Sequence, residues 1–391
     1  PWPNKATARL FLGMLAGDQR PVNASLMRLR HRLPTRELAD WLVRHELGPL
    51  AYGRCKAFWP ELAALLREDV FSAAAENSLH FDSLGRILGR FHGVGIPVVL
   101  LKGAALAQHA YGADTVQRTM SDIDLWVRAE DMAHAFSELT ALGFRARGRE
   151  HRPPELQKRS GGEIQLYRPD WMRNPVELHW SPFPGWWVQR TAAVDEAGIW
   201  ARKEPLPSMG GEQLVIDPPQ PPPPSYQLAA EDMVIQLAAH LVVNHQFGIS
   251  AVRNLMDIVR TARVGSVDWN VVVKRATSWR VGTAVWLALT LADSLIGLQG
   301  AEQTIDQLRP SLLRRMLLRW MVSTKSVLAG IDFGKSRRRY FLLLLLVDRP
   351  RDMVKLVYRT VWPEGEWLEA RYQGQGSHWR HLWQVVRHGR I

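Results

Sequence analysis

Asp122 and Asp124 stand two residues apart at the head of an apolar run, within the segment MSDIDLWV. In a strand, such a pair points to one face, about 6.5–7 Å apart along the chain. Two carboxylates that close repel each other and raise one another's proton affinity, unless a divalent cation lies between them. Hard oxygen ligands in ones and twos, completed by water and substrate phosphates, are how proteins hold Mg2+ for phosphoryl chemistry. An isolated D-x-D also reads as a turn cap beside a solvated carboxylate, so the neighbouring residues decide.

Upstream, GIPVVLL (Gly95 to Leu101) is short, branched and apolar, as a buried strand is, and it gives way to Lys102, Gly103 and the helix-forming AALAQHAY. A strand, a small-residue turn and a helix in succession present backbone N–H groups where anions are stabilised, and Lys102 adds a point charge for phosphate. The Walker A pattern is absent. Arg118, four residues before Asp122, reads either as a phosphate-reaching side chain or as a solvated loop arginine. Downstream, NPVELHW (Asn174 to Trp180) alternates Val176, Leu178 and Trp180 with Glu177 and His179. Glu177 thus supplies a third carboxylate, to join the metal or to act as general base. His179 shares its face, as a ligand-orienting group or as a hydrogen-bonded residue at the sheet rim.

These segments carry a resemblance. LLKGAAL, R-x-x-SDIDLWV and VELHW resemble the DNA polymerase beta-type nucleotidyltransferase superfamily, and within it a bacterial branch of uncharacterised nucleotidyltransferases. EDMVIQLAAHLVVNH, LMDIVR and VDWNVVVKRA resemble the helical half of that branch, so the likeness runs from about Asn77 to Trp367. It implies that Asp122, Asp124 and Glu177 bind one or two Mg2+ ions and carry catalysis. It further implies that the turn at Gly103 holds a nucleoside triphosphate such as ATP, which Lys102, Ala104, Arg118 and Ser121 are expected to contact as well. One departure stands out: Gly103 is followed by Ala104, where the superfamily has serine or glycine, so a hydroxyl contact to phosphate is missing.

The elements that must position these residues give an α+β chain. A mixed sheet is expected from strands at 97–101, 122–127, 144–148, 163–167 and 176–180, with helices near 104–111 and 130–142 in a βαβαβ order. The expected divisions are an N-terminal helical segment (1–76), a catalytic domain (77–216), a proline-rich linker or loop DPPQPPPPS (217–225) and a helical C-terminal domain (226–391). In the last, Tyr226 to His245, Ile249 to Arg263, Trp269 to Trp279 and Val281 to Leu298 read as helices. His240 and His245 lack the four-residue spacing of a helical zinc pair. His240 and Asp257 are secondary candidates, useful only if this half closes over the site.

A chain of 391 residues that is 46% hydrophobic buries a sizeable core and excludes overall disorder. A lone cysteine, Cys55, excludes an intrachain disulfide and a cysteine zinc site and fits a cytoplasmic setting. The start at Pro1 without Met suggests an incomplete or processed N-terminus, with no secretory signal. FLLLLLV (Phe341 to Val347) is too short to span a bilayer and belongs in a core helix. A net charge of +12 favours a polyanionic partner. Trp362, Trp367, Trp379 and Trp383, interleaved with Arg371, Arg380 and Arg387, read as packing or as an RNA-stacking surface.

The leading expectation is Mg2+-dependent transfer of a nucleotidyl group from an NTP to an acceptor hydroxyl. The acceptor is a peptide, a natural product or RNA. The alternatives are transfer of a phosphate or sugar-phosphate group onto a peptide or natural product, modification of a tRNA end as in toxin-like relatives, and a non-catalytic binding scaffold.

Overall fold

The computed structural model describes residues 4–17, 30–112, 115–148, 157, 161–169, 171–206, 225–331, 337–372, 374 and 376–388. It is α+β, with a seven-stranded mixed sheet among many helices. Helices α1 (Lys5–Leu15), α2 (Thr35–Arg44) and α3 (Gly48–Cys55) precede α4 (Pro60–Gly93), which Pro60 opens in the first turn, where a missing N–H costs nothing. Strand β1 (Val99–Leu100) leads into α5 (Lys102–His109), followed by β2 (Ile123–Trp126) and α6 (Met132–Ala141). Just past α6, Gly143 adopts φ +90°, a left-handed residue that suits a helix exit. Strands β3 (Arg145–Ala146), β4 (Glu163–Arg168) and β5 (Trp171–His179) follow, then α7 (Trp186–Thr191), α8 (Glu196–Ala201), β6 (Glu204–Pro205) and β7 (Tyr226–Gln227).

The strand order is β3-β4-β5-β2-β1-β7-β6. β2 runs parallel to β5 with Asp124 opposite Glu177, and antiparallel to β1, so α5 is not a parallel crossover. Alternation sorts the strands between two cores. Ile123, Leu125, Ile164, Leu166, Val176 and Leu178 face the second half of α4 and α6. Val99, Leu101 and Trp126 join a larger core shared with helices from both ends of the chain. Asp124 has the parity of Trp126, so the candidate site lies on the face that the helices cover.

That cover is α9 (Ala230–Ala239), a π-helical stretch from His240 to His245, α10 (Ala251–Val264), α11 (Trp269–Ser278) and α12 (Gly282–Leu295), with shorter helices from Glu302 to His388. The helix expected from Tyr226 therefore starts at Ala230, because Tyr226 and Gln227 are drawn into the sheet beside β1. N- and C-terminal helices form one core: Trp41 Nε1 donates to the Leu328 carbonyl at 2.9 Å, and the His45 ring bonds the Ile249 and Leu328 carbonyls. The division expected at residues 76 and 77 falls inside α4. Residues 217–224 of the proline-rich stretch lie outside the described residues, and Ser225 precedes β7. Leu342, Leu343 and Leu345 to Val347 are buried, as FLLLLLV requires, and no described helix is long and apolar enough to cross a membrane.

Candidate active site

β2 and β5 bring three ligand-bearing side chains together. One donor atom each from Asp124, Glu177 and His179 lies within 4.8 Å of the others, and all three residues are buried. The parallel register places Asp124 beside Glu177, and His179 follows two residues on along the same face. From the other side, β4 sets Gln165 opposite Glu177 and Glu163 opposite His179. Gln165 Nε2 donates to Glu177 Oε1 at 3.3 Å, and Glu163 Oε2 lies 3.6 Å from His179 Nδ1.

Lys102 reaches into this set. Its Nζ donates to Asp124 Oδ1 at 2.7 Å and lies 3.8 Å from Glu177 Oε2, so an ammonium stands between the two carboxylates. The residue has φ +46°, a left-handed conformation uncommon outside glycine, at the junction of β1 and α5. Burial works against its charge, yet Asp124, Glu177 and Asp122 together raise its proton affinity above the ordinary value. The expected free phosphate-binding lysine is therefore committed to the acids. Gly103 and Ala104 follow in the first turn of α5, where N–H groups have no intrahelical acceptor. A Cβ on Gly103 would come 3.2 Å from Met120 Cγ, so the glycine allows β2's entry loop to pass close by.

Asn77 of α4 fixes that loop, donating to the Thr115 and Arg118 carbonyls and accepting from Met120 N. Asp122 emerges from it only half-buried and outside the three-residue ligand set, with the Ser121 hydroxyl donating to its Oδ1 at 3.1 Å. Burial would raise its carboxyl, but Lys102, the Ser121 hydroxyl, Arg253 and His245 bring it below the ordinary value. Arg253 and His245, both from the helical half, contribute to that lowering at long range, and the Arg253 guanidinium itself pairs with Glu46.

Arg118 is tied to the helical half by Asp257, while its Nη1 lies 3.8 Å from where a Cβ on Gly103 would stand. Its Nε and Nη2 bond both oxygens of Asp257 at 2.8–3.0 Å, Nη1 donates to the Thr119 carbonyl, and the Tyr111 hydroxyl also donates to Asp257. Asp257 is likewise a structural anchor of α10. The alternation in VELHW already put His179 beside Glu177, but its contact with Asp124 depends on a pairing between distant strands. Glu163 and Arg253 carried no local signal. His240 and His245 do meet: the π-helical turn sets their rings 4.5 Å apart, which the five-residue spacing cannot do in a regular helix.

Burial raises Asp124 to about 6, opposed by Lys102 and reinforced by Asp122. Burial also raises Glu177, again against the pull of Lys102. His179 is held down to about 4 by burial, with Lys102 adding to the effect. Asp124 Oδ2 is buried and takes no hydrogen bond from any described residue. A naked carboxylate oxygen, a neutral imidazole and a second carboxylate, currently bridged by an ammonium, are a donor set that fits a divalent cation.

A set of side chains that could hold a metal thus lies on adjacent strands, beside a strand-turn-helix junction and under helices. The chain belongs to the family described as uncharacterised nucleotidyltransferase, whose model matches residues 33–297 and so takes in both the sheet and the first helices of the cover. None of the curated proteins and none of the solved structures matches the chain.

Proposed function

We propose that the protein transfers a nucleotidyl group from a nucleoside triphosphate to an acceptor hydroxyl with the help of a divalent ion. The observation that carries this reading is the in-register placement of Asp124 and Glu177 next to the first turn of α5. Asp124, Glu177 and His179 hold the ion, which when bound neutralises phosphate charge and acidifies the attacking hydroxyl. The N–H groups of Gly103 and Ala104 receive phosphate oxygens, and Asp122, with the Ser121 hydroxyl bonded to it, contacts the nucleotide from the loop that enters β2. Glu177, on the strand beside Asp124, takes the hydroxyl proton as general base. The acceptor oxygen forms a bond to the α-phosphorus, the bond from that phosphorus to the β-phosphate bridging oxygen breaks, and pyrophosphate leaves with the electron pair.

Lys102, which pairs with Asp124 here, would be the side chain left for the phosphates if an ion took its place among the acids. Arg118 has no part in the transfer in this reading; it braces the loop that carries Asp122. Incubating the protein with NTPs labelled at the α- or the γ-phosphate, in cell extract with and without divalent ions, tests the proposal. Ion-dependent transfer of α-label with release of pyrophosphate is expected. Transfer of γ-label alone would make the enzyme a phosphotransferase.

A specific observation favours RNA as the acceptor. Trp379 and Trp383 are 73% and 53% exposed on the helix His378–His388, which has no acidic residue, and the Arg387 guanidinium lies over the Trp383 ring at 4.6 Å. Exposed aromatic faces beside arginine suit base stacking and backbone contact. RNA affinity that falls steeply with salt, and falls further when the chain ends near Pro363, supports this; a flat salt response points to a peptide or small molecule.

A further inference from the structure

We infer that the ion is held through a nitrogen of His179 as well as through Asp124 and Glu177, that Glu163 is the positioning residue fixing that imidazole from behind, and that the site consequently selects a first-row transition ion of the manganese class over magnesium. This rests on the ion-dependent reading above.

The two nitrogens of the His179 ring face different carboxylates. Nε2 lies 2.9 Å from Asp124 Oδ1 and 3.9 Å from Glu177 Oε2, while Nδ1 lies 3.6 Å from Glu163 Oε2. A fully buried neutral imidazole carries one proton, so only one nitrogen can donate. With the proton on Nε2, the Nδ1 lone pair faces the Glu163 carboxylate, and Nδ1 indeed has no hydrogen-bond partner among the described residues. With the proton on Nδ1, the Nε2 lone pair faces Asp124 at hydrogen-bond distance. Each tautomer of the metal-free site therefore sets a lone pair against a carboxylate. A cation shared by Nε2, Asp124 and Glu177 removes the conflict: Nε2 becomes a ligand, and the Nδ1 proton is directed at Glu163. That sequence of carboxylate, imidazole and metal is the arrangement that fixes the tautomer and orientation of a ligating histidine. The strand register builds it in, since β4 pairs Glu163 with His179 and β2 pairs Asp124 with Glu177. An imidazole ligand suits iron, nickel, copper or zinc, and manganese, the weakest of the first-row divalent ions, still accepts one more readily than magnesium, which prefers an all-oxygen shell.

The test uses the full chain with Mn2+ or Mg2+ as the only added ligand. Pulsed electron paramagnetic resonance of bound Mn2+ should show nitrogen-14 coupling from a directly bound imidazole in the wild type, lost in H179N. Mn2+ affinity should drop roughly 10- to 100-fold in H179N and at least about tenfold in E163Q, with Mg2+ affinity, read by competition, dropping less in both. E163Q should keep the nitrogen-14 coupling, because its defect is one of ring orientation. Bound Mn2+ without nitrogen coupling in the wild type overturns the proposal while leaving an oxygen-ligated site standing, and it needs no variant to fold. Tighter binding of Mg2+ than of Mn2+ overturns the ion class alone. Failure of the wild type to bind either ion removes the underlying reading as well.

Discussion

Lys102 Nζ and Asp124 Oδ1 are 2.7 Å apart, an ion pair at the heart of a site whose remaining groups are mostly acids. The ammonium satisfies carboxylates that burial would otherwise force to protonate, so the metal-free protein folds with its ligands preassembled. On the proposed function, ion entry would exchange one cation for another.

Lys102→Met should separate the two roles of that ammonium. Removing one partner of a buried ion pair costs on the order of 3–5 kcal/mol, lessened where the stranded acids take up protons. The metal-free variant should melt lower than the wild type, and added divalent ion should raise its melting temperature by more. Equal metal-induced shifts in the two proteins would show that lysine and ion do not share the site.

Asp122 and Asp124 should part company in metal binding. Asp124 belongs to the buried ligand set and Asp122 does not. Asp124→Asn should weaken divalent-ion affinity by at least about tenfold more than Asp122→Asn, a difference of roughly 1.4 kcal/mol. Asp122→Asn should instead show its main defect with nucleotide present. Calorimetry with ion alone, then with ion and a non-hydrolysable nucleotide, reads both; equal losses of ion affinity would restore the simple paired-aspartate site.

Ion affinity should be flat above about pH 6 and fall below it. Asp124, raised to about 6, binds a proton as pH drops through that value, and this proton competes with the ion. His179 stays neutral down to about 4, so it adds no competition in the same window. Loss of one carboxylate ligand to one proton gives about tenfold weaker binding per pH unit, steeper once Glu177 also protonates. Mn2+ titrations at pH 7 and pH 5 check the sign. Unchanged or tighter binding at the lower pH contradicts it.

Arg118→Met should be a stability variant. It strands Asp257 in the interior with only the Tyr111 hydroxyl left among its described side-chain partners, a loss of about 3–5 kcal/mol by the cost of broken buried pairs. Urea denaturation measures it. A loss below about 1 kcal/mol, together with a large fall in nucleotide affinity, would return Arg118 to the phosphate-binding role that its sequence position suggested.

Much of the site was legible because strands advertise themselves at period two. IDLW and VELH split their polar and apolar residues onto opposite faces, and the two cores take up those faces as the alternation requires. What could not be read was pairing. The contact of His179 with Asp124 and the approach of Glu163 to His179 arise from registers between segments with no local mark of one another. The pairing of Arg118 with Asp257 has no local mark either, because the two lie 139 residues apart. β6 and β7, each of two residues, are too short for any period to show, and Pro205 would argue against a strand anywhere but at an edge. The π-helical turn was hidden for a related reason: the extra residue that brings His240 to His245 leaves no compositional trace.

The long helix α4 has a consequence for how the protein can be divided. Its 34 residues extend about 50 Å, with Leu62 and Leu66 in the core shared by the terminal helices and Leu84, Ile87 and Phe91 in the core beneath the sheet. One rod is therefore built into both halves. A gene fragment encoding only the sheet, or only the helices, must either keep a half-naked rod or lose one wall of its own interior. The two halves should consequently melt in a single transition and be exchanged between relatives only as a whole, and the roof over the acids cannot be shed while the rod stays intact.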